Sequence, residues 1–158
     1  PLANPASAGR QVVGVANPAR LELMAGALAE LGSVHALVVH GEPGLDEISP
    51  IGCTRVLEVR LGTVREWSID PARHGMSAAP EELSGGEPAD NARRVRAVLE
   101  GRETHGARSA VVLNAAAAIY VGGKAATYGD AIAVAADAVD TGKGARALDA
   151  LREASAGA

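Results

Sequence analysis

The apolar positions of this chain follow two rhythms, and the change from one to the other predicts its elements. Gln11 to Val15 is a short apolar run that predicts a strand, after a loop from Pro1 to Arg10. Asn17-Pro18 then supplies a helix start, because Asn satisfies free N–H groups and Pro fits the first turn. Leu21, Met24, Ala25, Leu28 and Leu31 recur at helical spacing, and Gly32 stops the helix. Val34 to Val39 is too apolar to alternate, as expected for a strand buried on both faces. Strand, helix and strand with short joints make a βαβ unit with a right-handed crossover.

A polar loop from His40 to Pro50 follows, then two β-rich runs, Thr54 to Arg60 and Thr63 to Ile69, with Gly62 between them as a hairpin turn. Asp70 to Glu87 reads as loop, with Pro71, Gly75, Pro80 and the doublet Gly85-Gly86. From Pro88 onward the period is helical. Ala92, Val95 and Leu99 mark one face of a helix that Gly101 ends. Ala107 to Val121 is apolar nearly all round and predicts a buried helix. Thr127 and Asp130 have capping-box spacing before a helix over Ala131 to Val139, and Leu148 and Leu151 mark a last helix after Gly142. The class is α/β: a mixed, largely parallel sheet flanked by helices, with a helical C-terminal portion.

Composition narrows the function more than the fold. The 158 residues suffice for one domain with a core, and 2% aromatics with no Phe mean that Ala, Val and Leu must fill it. A net charge of −4 argues against a large nucleic-acid footprint. The single cysteine, Cys53, excludes an internal disulfide and suits a reducing cytoplasm; it reads as a buried or idle thiol. No apolar run is long enough to span a bilayer. The chain opens at Pro1, without methionine and inside a loop, so it is expected to be a piece of a longer protein.

One segment carries candidate chemistry. His40-Gly41-Glu42-Pro43-Gly44-Leu45-Asp46-Glu47 leaves the C-terminal end of a parallel strand, the edge where ligands bind in open α/β sheets. Its glycines permit close backbone approach, and Asp46 and Glu47 bring two carboxylates to the rim. Magnesium takes one or two carboxylates, waters and substrate phosphates. On spacing alone, a solvated polar turn is the more economical account of the pair. His35, His40, His74 and His105 lack metal-ligand spacing. Arg93, Arg94 and Arg96 read as a solvated helix face, Gly85-Gly86 as a turn, and Asn114 as a hydrogen-bonded core residue. No glycine-rich phosphate loop and no Ser or Cys nucleophile motif is present.

Several segments, taken in order, resemble the anthranilate phosphoribosyltransferases. Pro1-Leu2-Ala3-Asn4-Pro5 resembles the end of that family's Gly-Pro-Leu-Thr/Ala-Asn-Pro motif. Val38-Val39-His40-Gly41 with Leu45-Asp46-Glu47-Ile48-Ser49 resembles its His-Gly turn and Asp-Glu signature. Leu83-Ser84-Gly85-Gly86 and Asn91-Ala92 resemble its Gly-Gly and Glu-Asn-Ala stretch, with Asp90 where Glu is usual. Val112-Leu113-Asn114-Ala115-Ala116 and Asp140-Thr141-Gly142-Lys143 resemble its C-terminal helix signatures.

The resemblance implies transfer of phosphoribosyl from phosphoribosyl pyrophosphate to anthranilate in tryptophan biosynthesis, with Mg2+ as cofactor. It implies that Asp46 and Glu47 are the metal ligands, Glu47 serving two ions, and that Pro1 lines the anthranilate path. Residues 1–158 would be the C-terminal portion of the family's α/β domain. The N-terminal helical domain that forms a homodimer, and the substrate-binding loops, would lie upstream. Alone, the chain is then expected to bind neither substrate well and not to turn over. Two alternatives stay open: a non-catalytic relative that binds nucleic acid, and a partner half that docks on a separately encoded N-terminal chain.

Overall fold

A computed structural model describes Leu2 and residues 8–157. The predicted βαβ unit forms: β1 is Arg10–Gly14, α1 is Leu21–Glu30 and β2 is His35–Gly41. Asn17 Oδ1 accepts from the Ala19 amide at 3.0 Å, and Pro18–Arg20 makes one 3-10 turn before α1. β3, Thr54–Arg60, and β4, Thr63–Ile69, form the predicted hairpin. Its two-residue turn places Leu61 at φ 48° and Gly62 at φ 81°, the paired left-handed conformation of tight hairpins.

The four-stranded sheet runs in the order β1-β2-β3-β4 and is mixed, as expected. Parallel pairing is confined to β1 with β2, while β2–β3 and β3–β4 are antiparallel. Only the first join contains a helix to carry the chain back, and a parallel return needs such a crossover.

Helices cover both faces. Ala36 and Val38 of β2 join Leu57 and Val59 of β3 against Leu21, Ala25 and Leu28 of α1. Leu37, Val39 and Val56 point the other way, into a core with α3, Gly106–Val121, and α4, Tyr128–Asp140. β2 is buried along both faces, which is why its sequence does not alternate. α3 presents Val112, Leu113, Ala116, Ala117 and Tyr120 to this core, so the helix that reads as apolar all round is buried. α4 starts earlier than expected: Thr127 accepts from the Asp130 amide at 3.1 Å, and its hydroxyl donates to Asp130 Oδ2 at 2.7 Å. That cap opens the helix at Tyr128, whose buried phenol donates to the Leu113 carbonyl at 2.9 Å.

The outer helices depart from the expected faces. In α2, Pro88–Leu99, the buried residue is Val98, while Ala92 and Val95 are exposed. Leu31 and Leu151, read as face-marking leucines, are also exposed. α2 and α5, Lys143–Ala156, lie at the periphery, so their apolar stripes are only partly covered. No helix is long and apolar enough to cross a membrane among the described residues.

Candidate functional site

The loop between β2 and β3 folds back onto the ends of the parallel strands. The Gly41 amide donates to the Leu45 carbonyl at 2.9 Å, and the Leu45 amide returns the bond at 2.7 Å. The Glu42 amide donates to the Cys53 carbonyl at 2.9 Å. Ser49, fully buried, ties the loop together: its hydroxyl donates to the Glu42 carbonyl and accepts from the Ile51 amide at 3.1 Å. The Ser49 amide donates to Thr54 Oγ1 at 2.9 Å.

Two glycines allow this closure by taking no space. A Cβ on Gly14, at the end of β1, would lie 1.5 Å from the Asp46 carbonyl oxygen. A Cβ on Gly41, at the end of β2, would lie 2.5 Å from the Glu47 carbonyl oxygen. The Asp46-Glu47 backbone therefore rests directly on the C-terminal ends of the two parallel strands, the edge expected for a ligand.

The following residue is fixed from the helical layer. The Ile48 amide donates to Asn114 Oδ1 at 2.9 Å, and Asn114 Nδ2 donates to the Ile48 carbonyl at 2.8 Å. The same Nδ2 also donates to the Ala110 carbonyl at 3.0 Å. Asn114, expected as a hydrogen-bonded core residue, is half-buried and holds the site loop to α3. Asp46 and Glu47 are exposed, and among the described residues their carboxylates form no ion pair or hydrogen bond. Two free carboxylates on a fixed backbone suit a hard cation that takes its remaining ligands from water and phosphate. Among the described residues no three His, Cys, Asp or Glu side chains converge as a complete metal site.

Glu47 also lines a cavity of about 270 Å³ with Ser84, Gly85, Asn91, Arg94 and Val111. These segments are separate in the sequence, and the fold brings them together. Arg94 is a structural donor rather than a solvated charge: it donates to the Ser84 carbonyl at 3.0 Å and also to the Glu82 carbonyl. Asn91 accepts from the Gly86 amide and donates to the Gly86 carbonyl, both at 2.9 Å, so the Gly-Gly segment is a clamped turn. Arg96 pairs with Asp149 of α5 at 2.9 Å. Cys53 is exposed rather than buried. Pro1 lies outside the described residues.

Two of the four histidines, His35 and His40, make structural contacts. His40 Nδ1 lies 2.8 Å from the Val15 carbonyl. His35 and Glu58, each 3% exposed, meet at 2.9 Å. Glu58 Oε1 also accepts from the Tyr120 hydroxyl at 2.8 Å, while Oε2 accepts from Arg65 at 2.9 Å and Trp67 Nε1 at 3.0 Å. Burial would raise this carboxyl's pKa, but the donors from Arg65, Tyr120 and His35 outweigh it and hold it below the usual range. Nothing in the β3 sequence marks Glu58 as buried, since its place beside apolar Leu57 and Val59 resembles a solvent-facing position.

Residues 1–145 match the family described as "Glycosyl transferase family, a/b domain". The anthranilate phosphoribosyltransferase of Methylobacterium radiotolerans is 47% identical over 98% of this chain and 45% of its own length. The Myxococcus xanthus enzyme of the same name is 46% identical over 97% of the chain and 46% of its own length. The crystal structure of anthranilate phosphoribosyltransferase from Thermus thermophilus superposes with a TM-score of 0.82 at 38% identity, covering 92% of this chain and 43% of that one. A Saccharomyces cerevisiae anthranilate phosphoribosyltransferase in complex with PRPP and Mg has a TM-score of 0.78 at 23% identity, covers 89% of this chain and 41% of that one, and attests the fold. The chain thus spans about half the length of the curated relatives it matches.

Proposed function

This chain belongs to the glycosyl transferase family through its a/b domain, and we propose that it is the C-terminal portion of an anthranilate phosphoribosyltransferase. Support comes from relatives of that name at 46–47% identity across nearly the whole chain. The observation that carries the reading is the placement of Asp46 and Glu47: two unpaired carboxylates held at the ends of parallel strands by Gly14, Gly41 and Asn114.

In this reading Asp46 and Glu47 would hold magnesium, which would supply positive charge against the negative charge of a pyrophosphate leaving group. The carbon–oxygen bond to pyrophosphate breaks at the anomeric carbon of ribose, a carbon–nitrogen bond to the anthranilate amine forms, and the amine releases a proton. The chain's own contribution is to fix its two carboxylates relative to the strand ends, since catalysis here is largely positioning. The remaining walls of the substrate site, including an anthranilate pocket reaching Pro1, belong to the rest of the protein. A homodimer joined outside this chain and a cytoplasmic location complete the reading. The unpaired acidic rim and the net charge of −4 disfavour a nucleic-acid role.

The test is made in the complete protein with phosphoribosyl pyrophosphate, anthranilate and Mg2+. Asp46→Asn with Glu47→Gln is expected to lower magnesium-dependent transfer by at least about a hundredfold while leaving the circular dichroism spectrum intact. Unchanged magnesium dependence would remove both residues from the site. The absence of transfer in the unsubstituted complete protein would overturn the function itself.

A further inference from the structure

A hollow of about 410 Å³ opens at the other end of the sheet, where β1 and β2 begin. It lies roughly 13 Å along β1 from the Gly14–Asp46 contact, at about 3.3 Å per strand residue. Arg10, Arg60 and Lys124 line it, His35 and Tyr120 contribute to its wall, and the Gly123–Ala126 turn borders it. Among the described residues no carboxylate lines it.

Three cations around one hollow run against the chain's overall charge of −4. Arg10 is anchored, because its guanidinium donates to the Val121 carbonyl at the end of α3. Arg60 and Lys124 are exposed and form no ion pair among the described residues. Glu58, which bonds His35 and Tyr120 of the wall, cannot serve them. Both its oxygens are already engaged by His35, Tyr120, Arg65 and Trp67. No counter-charge for Arg60 or Lys124 is therefore present among the described residues.

We propose that the hollow formed by Arg10, Arg60, Lys124, His35 and Tyr120 binds a small anion through its phosphoryl group. A guanidinium matches the planar fork of a phosphate edge and an ammonium adds a point charge, so Arg60 and Lys124 suit complementary parts of one group. The volume lies within the range of small-ligand sites and exceeds the needs of a bare phosphate, leaving space for an attached group. His35 and Tyr120, locked by Glu58 and packed edge-on at 4.9 Å, give the hollow a wall that needs no rearrangement.

The experiment titrates inorganic phosphate and, separately, pyrophosphate into the complete protein without magnesium, following backbone amide chemical shifts. Saturable shifts at Gly123, Lys124, Ala125 and Ala126 are expected with at least one of the two. Their relative affinities tell whether a single phosphoryl group or a linked pair is the better occupant. Arg60→Gln with Lys124→Gln, two exposed sites, should weaken binding at least about tenfold. Asp46→Asn with Glu47→Gln should leave it unchanged. The proposal fails if chloride at matched ionic strength reproduces the shifts, if neither anion gives saturable shifts there, or if the shifts move to the Gly41–Ser49 loop. It fails equally if the Arg60 and Lys124 variant, folded by circular dichroism, binds with unchanged affinity. Should that variant unfold, the wild-type shift map and the chloride control decide.

Discussion

The carboxamide of Asn114 closes on both polar atoms of Ile48, accepting from its amide at 2.9 Å and donating to its carbonyl at 2.8 Å. Ile48 follows the candidate metal residues directly, so a side chain of α3 sets where the Asp46-Glu47 backbone stands. Asn114→Ala should lower stability by about 2–3 kcal/mol, because it leaves the Ile48 amide and carbonyl without partners. In the complete protein it should also raise the magnesium concentration needed for half-maximal rate more than it lowers kcat. Asn114→Asp keeps the acceptor but loses the donor, and should recover only part of both. A denaturant midpoint and a magnesium titration check the two effects. A purely structural role would shift the midpoint and leave the magnesium requirement alone.

Gly14 makes a sterically sharper prediction. A methyl group there would fall 1.5 Å from the Asp46 carbonyl oxygen, so β1 and the loop cannot keep their present contact. Gly14→Ala should destabilise the chain by roughly 3 kcal/mol or displace the loop, since overpacking of this kind is not absorbed by rotamer changes. Amide chemical shifts at Asp46 and Glu47, with the unfolding midpoint, distinguish these results. A variant unchanged in both would refute the contact.

The hairpin offers a stabilising change. Leu61 holds φ 48° and is 78% exposed, so it accepts a disfavoured backbone without gaining burial. Leu61→Asn, which creates Asn-Gly at a two-residue hairpin turn, should raise stability by about 0.5–1 kcal/mol. A midpoint equal to or below that of the parent would contradict this.

Glu58 ties stability to acid pH. Its folded pKa lies below the ordinary carboxyl value, and the facing groups are His35, Tyr120 and Arg65. As pH falls, the unfolded chain therefore takes up this proton before the folded one. The contribution is complete above the unfolded glutamate value, about 4.3, and is lost as pH falls through the lower folded value. Glu58→Gln should destabilise the chain at neutral pH and flatten the acid limb of its stability profile. Trp67, the only tryptophan, donates to Glu58 at 3.0 Å, so its fluorescence reports the change locally. An acid limb of unchanged slope would exclude Glu58 as a source of the pH dependence.

The local elements were legible because each is dictated by neighbours in sequence. The Asn17-Pro18 start, the unalternating β2 run and the Gly62 hairpin all formed where the pattern put them. The partners of Glu58 were not legible. His35 and Tyr120 stand 23 and 62 residues away, and a strand's alternation does not say which polar side chain will be covered by a helix. The faces of α2 and α5 misled for the converse reason: periodicity gives the stripe, while burial depends on what packs there. At the candidate site, the sequence located Asp46 and Glu47. It did not reveal that Asn114 and Asn91 perform the same task on two different loops, each closing a carboxamide around one backbone unit.

The Gly41–Ser49 loop is tied at Gly41, Glu42, Gly44, Leu45, Ile48 and Ser49, on both sides of the two carboxylates, before any ion arrives. Ordering a backbone residue costs roughly 1–2 kcal/mol of entropy, and a floppy loop would subtract that from every binding event. Here folding has already met the cost. An incoming cation would then have to restrain only two side chains, so mutations that loosen the loop should weaken affinity even where both carboxylates remain.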